Sequence, residues 1–315
     1  SIIISVALII VFIFGINIAG GIPAVVENAQ SLPGYLTMMT TYDPVAGVEQ
    51  PYPIINIISM IAWGLGYFGM PHILLRFMAI EDEEKLTLSR RVATIWVVIS
   101  LAVAVLIGVI GLAMSDVGAL KTLTGSDSET IIVQIADLLS KHGILPALLA
   151  GTILAGILAS TMSTADSQLL AASSAVSSDL FGDRVAKTGD KKKAMNAARF
   201  TLLAIAVIAA FIARDPNSSV FGIVSFAWAG FGAVFGPVVL FALFWRRSNW
   251  QGALAGMISG GAMVFIWKYL VRPLGGVWNI YELLPAFSVS CLMIVIVSLL
   301  TKAPSKEITE EFDRV

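Results

Sequence analysis

The 315-residue chain is 57% apolar and only 13% charged, with a net charge of −1 and a mean hydropathy of +0.87. Soluble domains carry about 25% charged residues, so 20 Lys and Arg with 21 Asp and Glu leave too little polar surface for a water-soluble globule and no basic field for nucleic acid. One cysteine, Cys291, excludes an internal disulfide and a cysteine-rich metal centre, and His72 and His142 have no ligand spacing. What remains is an all-α integral membrane protein.

A spanning helix needs about 20 mostly apolar residues. Eight segments qualify: 2–21, 53–75, 92–114, 144–176, 197–213, 220–245, 252–271 and 284–300. The sequence starts with Ser and stays uncharged to Glu27, without the basic n-region, short core and cleavage site of a signal peptide. It therefore reads as starting inside a longer protein. The outer connection 22–50 lacks Lys and Arg. Within the next outer connection, 129–141 reads as a short amphipathic helix with Ile131, Ile132, Ile135, Leu138 and Leu139 on one face. It suits either a surface helix on the bundle or an extracellular lid. Of the 20 basic residues, only Lys121, Lys141, Arg214, Lys268 and Arg272 fall on this side; the other fifteen lie on the opposite side. The positive-inside rule makes that second side cytoplasmic, and eight spans put Ser1 and Val315 there together.

Two segments carry chemistry. The second span holds WGLGYFGMPHILLRF, in which Gly64, Gly66 and Gly69 precede Pro71. Glycines weaken a helix and proline removes an amide donor. In lipid, a broken helix survives only against protein or a wet cavity, and interrupted helices point to transporter binding sites; a packing kink is the alternative. Trp63, Tyr67 and Pro71 are spaced i, i+4, i+8 and share one face before any break. Their rings offer apolar area with N–H and O–H groups, suited to a small solute with a polar end. The fourth span carries Ser160, Thr161, Ser163, Thr164, Ser167 and Gln168, with Asp166 among them as the one acid well inside any span. Hard cations take oxygen ligands; the Ser163 and Thr164 hydroxyls and the Ser160 carbonyl one turn back form a candidate set. An acid inside a span marks an ion or proton pathway. Ser173, Ser174, Ser177 and Ser178 read instead as interhelical packing, as do the glycines at 232 and 236 and at 252, 256 and 260. Trp228 reads as facing either a permeation path or a packing partner.

The runs WGLGYFGMPHILLRFMAI, MSTADSQLLAASSA and VSFAWAGFGAVFGPVVLF resemble the proline-type branch of the sodium/solute symporter family, and the resemblance extends through ALAGMISG to TKAPS. It implies an inverted-repeat, leucine-transporter-type bundle in which residues 1–315 form a single membrane transporter domain of about eight helices, lacking about five N-terminal ones. It implies sodium-coupled symport of L-proline by alternating access across the lipid bilayer of the plasma membrane. Trp63, Tyr67 and Pro71 match the family's substrate positions. Ser163 and Thr164 match its side-chain sodium ligands and Ser160 its carbonyl ligand, at a position where members often have Ala. Met70 stands where some relatives carry Gln, and Asp166 where the residue is often uncharged, which makes Asp166 a candidate second cation or proton site. Sodium would bind between the Ser163 and Thr164 helix and a broken helix that lies outside this sequence. The rival readings are a sodium symporter for another small amino acid or carboxylate, a sodium channel, and a membrane sensor. The sequence shows no nucleophile–base pair and no phosphate-binding glycine loop, so it reads as a transporter and not an enzyme.

Overall fold

A computed structural model describes residues 2–175, 191–214 and 219–314. Ser177 and Ser178, Arg184 and Lys187, and the expected end of the fourth span at Val176 lie outside the described residues. The protein is an all-α membrane helix bundle, with one small hairpin among the described residues. Among the described residues, six helices are long and apolar enough to cross a bilayer, or seven if one bent pair counts as a single span.

Two of the eight expected spans are not uninterrupted helices. Helix α1 (Ile2–Ile18) stops before Gly20 (φ 92) and Gly21 (φ 97), left-handed conformations that glycine tolerates and other residues resist. The chain then turns by 76° into α2 (Ile22–Ser31), which begins with Pro23 near its first turn. Strand β1 (Thr40–Asp43) pairs antiparallel with β2 (Val48–Pro51), Thr40 opposite Pro51 and Asp43 opposite Val48. The second expected span breaks into α3 (Ile54–Gly66), a 3₁₀ turn (Tyr67–Gly69) and α4 (Pro71–Met78). The remaining α-helices among the described residues are α5 (Lys85–Asp116), α6 (Ile131–Ser140), α7 (Ile144–Ala175), α8 (Lys191–Ile212), α9 (Val220–Phe244), α10 (Trp250–Ile266), α11 (Leu283–Leu300) and α12 (Lys306–Phe312), with a π-helical turn (Trp267–Val271) continuing α10.

The chain divides into two units. The first has a core of Val11, Ile107, Met114, Ile135 and Ile153, each at most 2% exposed; burying such a side chain contributes about 1.5–3 kcal/mol. Helix α6 belongs to that core through Ile135, Ala136 and Leu139, with Ile131, Ile132 and Leu138 packed against it, so it is a helix seated on the bundle. The Ser173 hydroxyl donates to the Ala198 carbonyl at 3.1 Å, tying α7 to α8, the packing role its sequence context suggests.

The second unit is built on glycine contacts. Gly252 and Gly256 of α10 face Ser298, Ile294 and Ser290 of α11, and Gly260 lies against the Ala233 backbone of α9. Close helix approach through small residues substitutes for the hydrophobic drive that lipid removes. Asn249 caps α10, accepting from the Gly252 amide at 2.8 Å, while its own amide donates to Thr301 Oγ1 and the Lys302 carbonyl, each at 2.8 Å.

Candidate functional site

The break after Gly69 is local and complete. Met70 is extended (φ −84, ψ 109) and Pro71 opens α4, and the Met70 carbonyl accepts from the Ile73 and Leu74 amides, both at 3.0 Å. The glycines before it are not there for unusual backbone angles: Gly66 is right-handed helical (φ −66, ψ −28), and neither Gly64 nor Gly69 has a positive φ. Gly66 and Gly69 permit contact. A Cβ on Gly66 would overlap the Trp228 indole, and one on Gly69 would run into the Phe231 carbonyl and the Gly236 backbone. On α9, Gly232 faces the Gly66 backbone, and Gly236 the Leu65 carbonyl and the Gly69 amide.

That approach assembles an aromatic stack. Trp63 lies nearly parallel to Trp228 at 5.3 Å, to Phe221 at 5.5 Å and to Tyr281 at 6.0 Å. The Trp228 indole N–H donates to the Trp63 carbonyl at 3.0 Å, so Trp228 is a packing partner here. Tyr67 meets Trp228 edge-on at 4.8 Å and keeps 51% of its surface exposed. Trp63 is thus half-buried among rings and Tyr67 is open. Pro71, also exposed, lies past the break, so the three do not share one uninterrupted helix.

Beside Trp63 is a cavity of about 220 Å³, lined from α3 and the residues just before it by Tyr52, Asn56, Ser59, Met60 and Trp63, and elsewhere by Phe221, Ser225, Arg272, Asn279 and Tyr281. Tyr281 fixes its wall: its amide donates to Ser59 Oγ at 3.0 Å and its hydroxyl to the Ser225 carbonyl at 2.6 Å. Burial pushes this phenol well above its ordinary range; the neighbouring Glu282 charge adds to the rise and Arg272 opposes it. Glu282, 1% exposed, accepts from Arg272 Nη1 at 2.8 Å and lies 3.9 Å from Lys268 Nζ. Arg272 Nε also donates to Asn279 Oδ1 at 3.1 Å.

The hydroxyl-rich stretch lies mid-way along α7, which stays helical throughout. The Thr164 hydroxyl donates to the Ser160 carbonyl at 3.2 Å, and Ser167 to the Ser163 carbonyl at 3.0 Å. Ser160, Ser163, Thr164 and Asp166 are all exposed. Two oxygens about 3.2 Å apart can both reach a hard cation at about 2.3–2.6 Å. Asp166 is two residues past Thr164, a rotation of about 200° around the helix, which sets its carboxylate on another face. Among the described residues, the acid that is buried is instead Glu282. Sequence reasoning passed over it because it sits just before an apolar run, where an acid reads as loop. Phe221, Arg272 and Tyr281 were missed for the same reason: each lies at the end of a span.

The model of the sodium:solute symporter family matches residues 1–260. The high-affinity proline transporter PutP of Bacillus subtilis is 41% identical over 261 residues, covering 82% of this chain and 52% of the relative. The sodium/proline symporter of Salmonella typhimurium is 42% identical over 259 residues, covering 82% and 50%. The osmoregulated proline transporter OpuE of Bacillus subtilis is 40% identical over 253 residues, covering 80% and 49%. The chain thus spans about half the length of the curated relatives it matches.

Proposed function

The chain belongs to the sodium:solute symporter family, and from that premise we propose that it is part of a secondary active transporter that moves L-proline into the cell together with sodium. The observation that carries this is the identity of about 40% to proteins named for proline transport, two of the three cited above by the name proline transporter and one as a sodium/proline symporter. The broken α3–α4 segment, with an open Tyr67 beside it, supports a solute face at Trp63, Tyr67 and Pro71. The adjoining Thr164 hydroxyl and Ser160 carbonyl support a sodium half-site on α7 that Ser163 extends, and Asp166 is a separate cation or proton site.

In this reading the helices form an inverted-repeat bundle within a single transporter domain of the plasma membrane, with both ends of the chain on the cytoplasmic side. Coupling needs only that sodium bind one state of the protein more tightly than another. One sodium moving down 100 mV supplies about 2.3 kcal/mol, enough for roughly fifty-fold solute accumulation. The test is sodium-driven proline uptake by the full-length protein in proteoliposomes. Uptake that saturates with proline and collapses without a sodium gradient is the expected result. Sodium flux that ignores proline would overturn it in favour of a channel.

A further inference from the structure

The connection from α10 to α11 closes on one buried acid. Helix α10 passes into the π-helical turn at Trp267–Val271, a distortion frequent at functional sites. The chain then reverses through Gly275 (φ 73) and Gly276 (φ 59). The Trp267 indole N–H donates to the Ile280 carbonyl at 3.1 Å, which brings Glu282, 1% exposed, back against the turn. Its two carboxylate oxygens have separate cations: Oε2 accepts from Arg272 Nη1 at 2.8 Å, and Oε1 lies 3.9 Å from Lys268 Nζ. Lys268 Nζ also sits 3.9 Å from the centre of the Phe226 ring of α9, a cation–π contact.

No step of the proposed transport uses this charge. Apolar residues of similar volume often hold a core as well as buried ion pairs do. What the ion pairs add is direction, because a carboxylate engaged at both oxygens is fixed in orientation. The residue before it is Tyr281, 5% exposed, and Tyr281 faces α3 and α9. Its amide donates to Ser59 Oγ, its hydroxyl donates to the Ser225 carbonyl, and its ring lies nearly parallel to Trp63 at 6.0 Å. A planar peptide unit joins the two residues, so a shift of Glu282 moves Tyr281 against Trp63.

We propose that Glu282 is a positioning residue for solute binding: pinned by Arg272 and Lys268, it sets Tyr281 against α3 and so holds the Trp63 ring where the solute meets it. The proposal rests on the reading of Trp63 as part of the solute face.

The experiment measures sodium-driven L-proline uptake by the full-length protein in proteoliposomes, normalised to inserted protein. Glu282→Gln keeps the size and removes the charge. It is expected to raise the KM for proline at least about tenfold, the scale of one charge-assisted bond, with kcat and the sodium requirement at saturating proline near parental. Tyr281→Leu is expected to raise the KM likewise. Glu282→Gln added to Tyr281→Leu is expected to raise it no further, because residues that act through one another are not additive. A parental KM in Glu282→Gln, or fold-changes that multiply in the double variant, overturns the inference. Should Glu282→Gln fail to insert, Lys268→Met decides, since it leaves the Arg272 bond in place: a KM raised about threefold, the scale of a loose ion pair, is expected, and a parental KM overturns the inference. Trp63→Ala separates this inference from the reading beneath it. Unchanged proline binding in Trp63→Ala overturns both, whereas weakened binding there with a parental KM in Glu282→Gln overturns this inference alone.

Discussion

Thr164 has its hydroxyl hydrogen committed to the Ser160 carbonyl, so its oxygen lone pairs remain for a cation. Thr164→Ser keeps that oxygen, and Thr164→Val keeps the shape without it. Sodium-titrated proline uptake is expected to be near parental for Ser and shifted to higher sodium for Val. The affinity for proline should fall most at low sodium, because linkage is reciprocal. Parental titration by Thr164→Val would return the hydroxyl to plain back-bonding along the helix. Tyr67 is an exposed ring of the aromatic group, and Tyr67→Ala is expected to weaken proline binding by about 2 kcal/mol or more, roughly thirtyfold, with sodium affinity less affected; unchanged proline binding would make this ring packing only. Tyr281 gives a pH test. Its phenol is held above the unfolded value of 10.0, so the unfolded chain loses this proton first. The phenol's stabilising contribution is present in full below pH 10 and falls as pH rises beyond it. Tyr281→Phe removes that alkaline slope and costs about 1–2 kcal/mol at neutral pH through the lost bond to Ser225. Unfolding in detergent from pH 7 to 11 reads both effects, and an equal alkaline slope in the two proteins would count against the assignment.

At the scale of elements, the seam between α3 and α9 depends on the absence of side chains. Gly66→Ala would push Trp228 off its bond to the Trp63 carbonyl, and is expected to destabilise the protein by about 1–3 kcal/mol with a loss of proline affinity. Gly64→Ala, where a Cβ meets nothing within contact distance, is expected to be tolerated. A thermal-stability comparison of the two variants checks this, and equal behaviour would refute the seam. The long helices were legible in the sequence because lipid demands apolar runs of fixed length, and α11 appears at Leu283–Leu300 where 284–300 was expected. The bend after α1 was not, because Gly20 and Gly21 continue an uncharged stretch and nothing in hydropathy separates a turn from a helix end. Helix α2 was missed because its ten residues include Glu27, Asn28 and Gln30, polar enough to read as loop. The break at Met70 was legible from its glycines and Pro71, but their purpose was not: their partners on α9 lie some 160 positions on. The cavity was illegible for the same reason, its walls coming from three distant stretches of chain.

For the molecule as a whole, the orientation proposed above rests on the unequal sharing of Lys and Arg between the connections. In a Cys291→Ser background, Lys121→Cys is expected to react with a membrane-impermeant thiol reagent in intact cells, and Lys85→Cys only after permeabilisation; both positions are exposed. The reverse pattern would invert the orientation. The seam between α3 and α9 also has a mechanical side. Where two helices touch through their backbones, no rotamers lie between them to slide or refill, so the joint cannot creep: it holds or it parts. It makes α3 and α9 a single stiff lever, and any rearrangement that opens a path past Trp63 has to swing both together. Spin labels placed on the outer faces of the two helices should therefore keep one narrow distance with sodium, with solute and with neither, while the backbone dihedral angles at Met70, just beyond the joint, take up the motion.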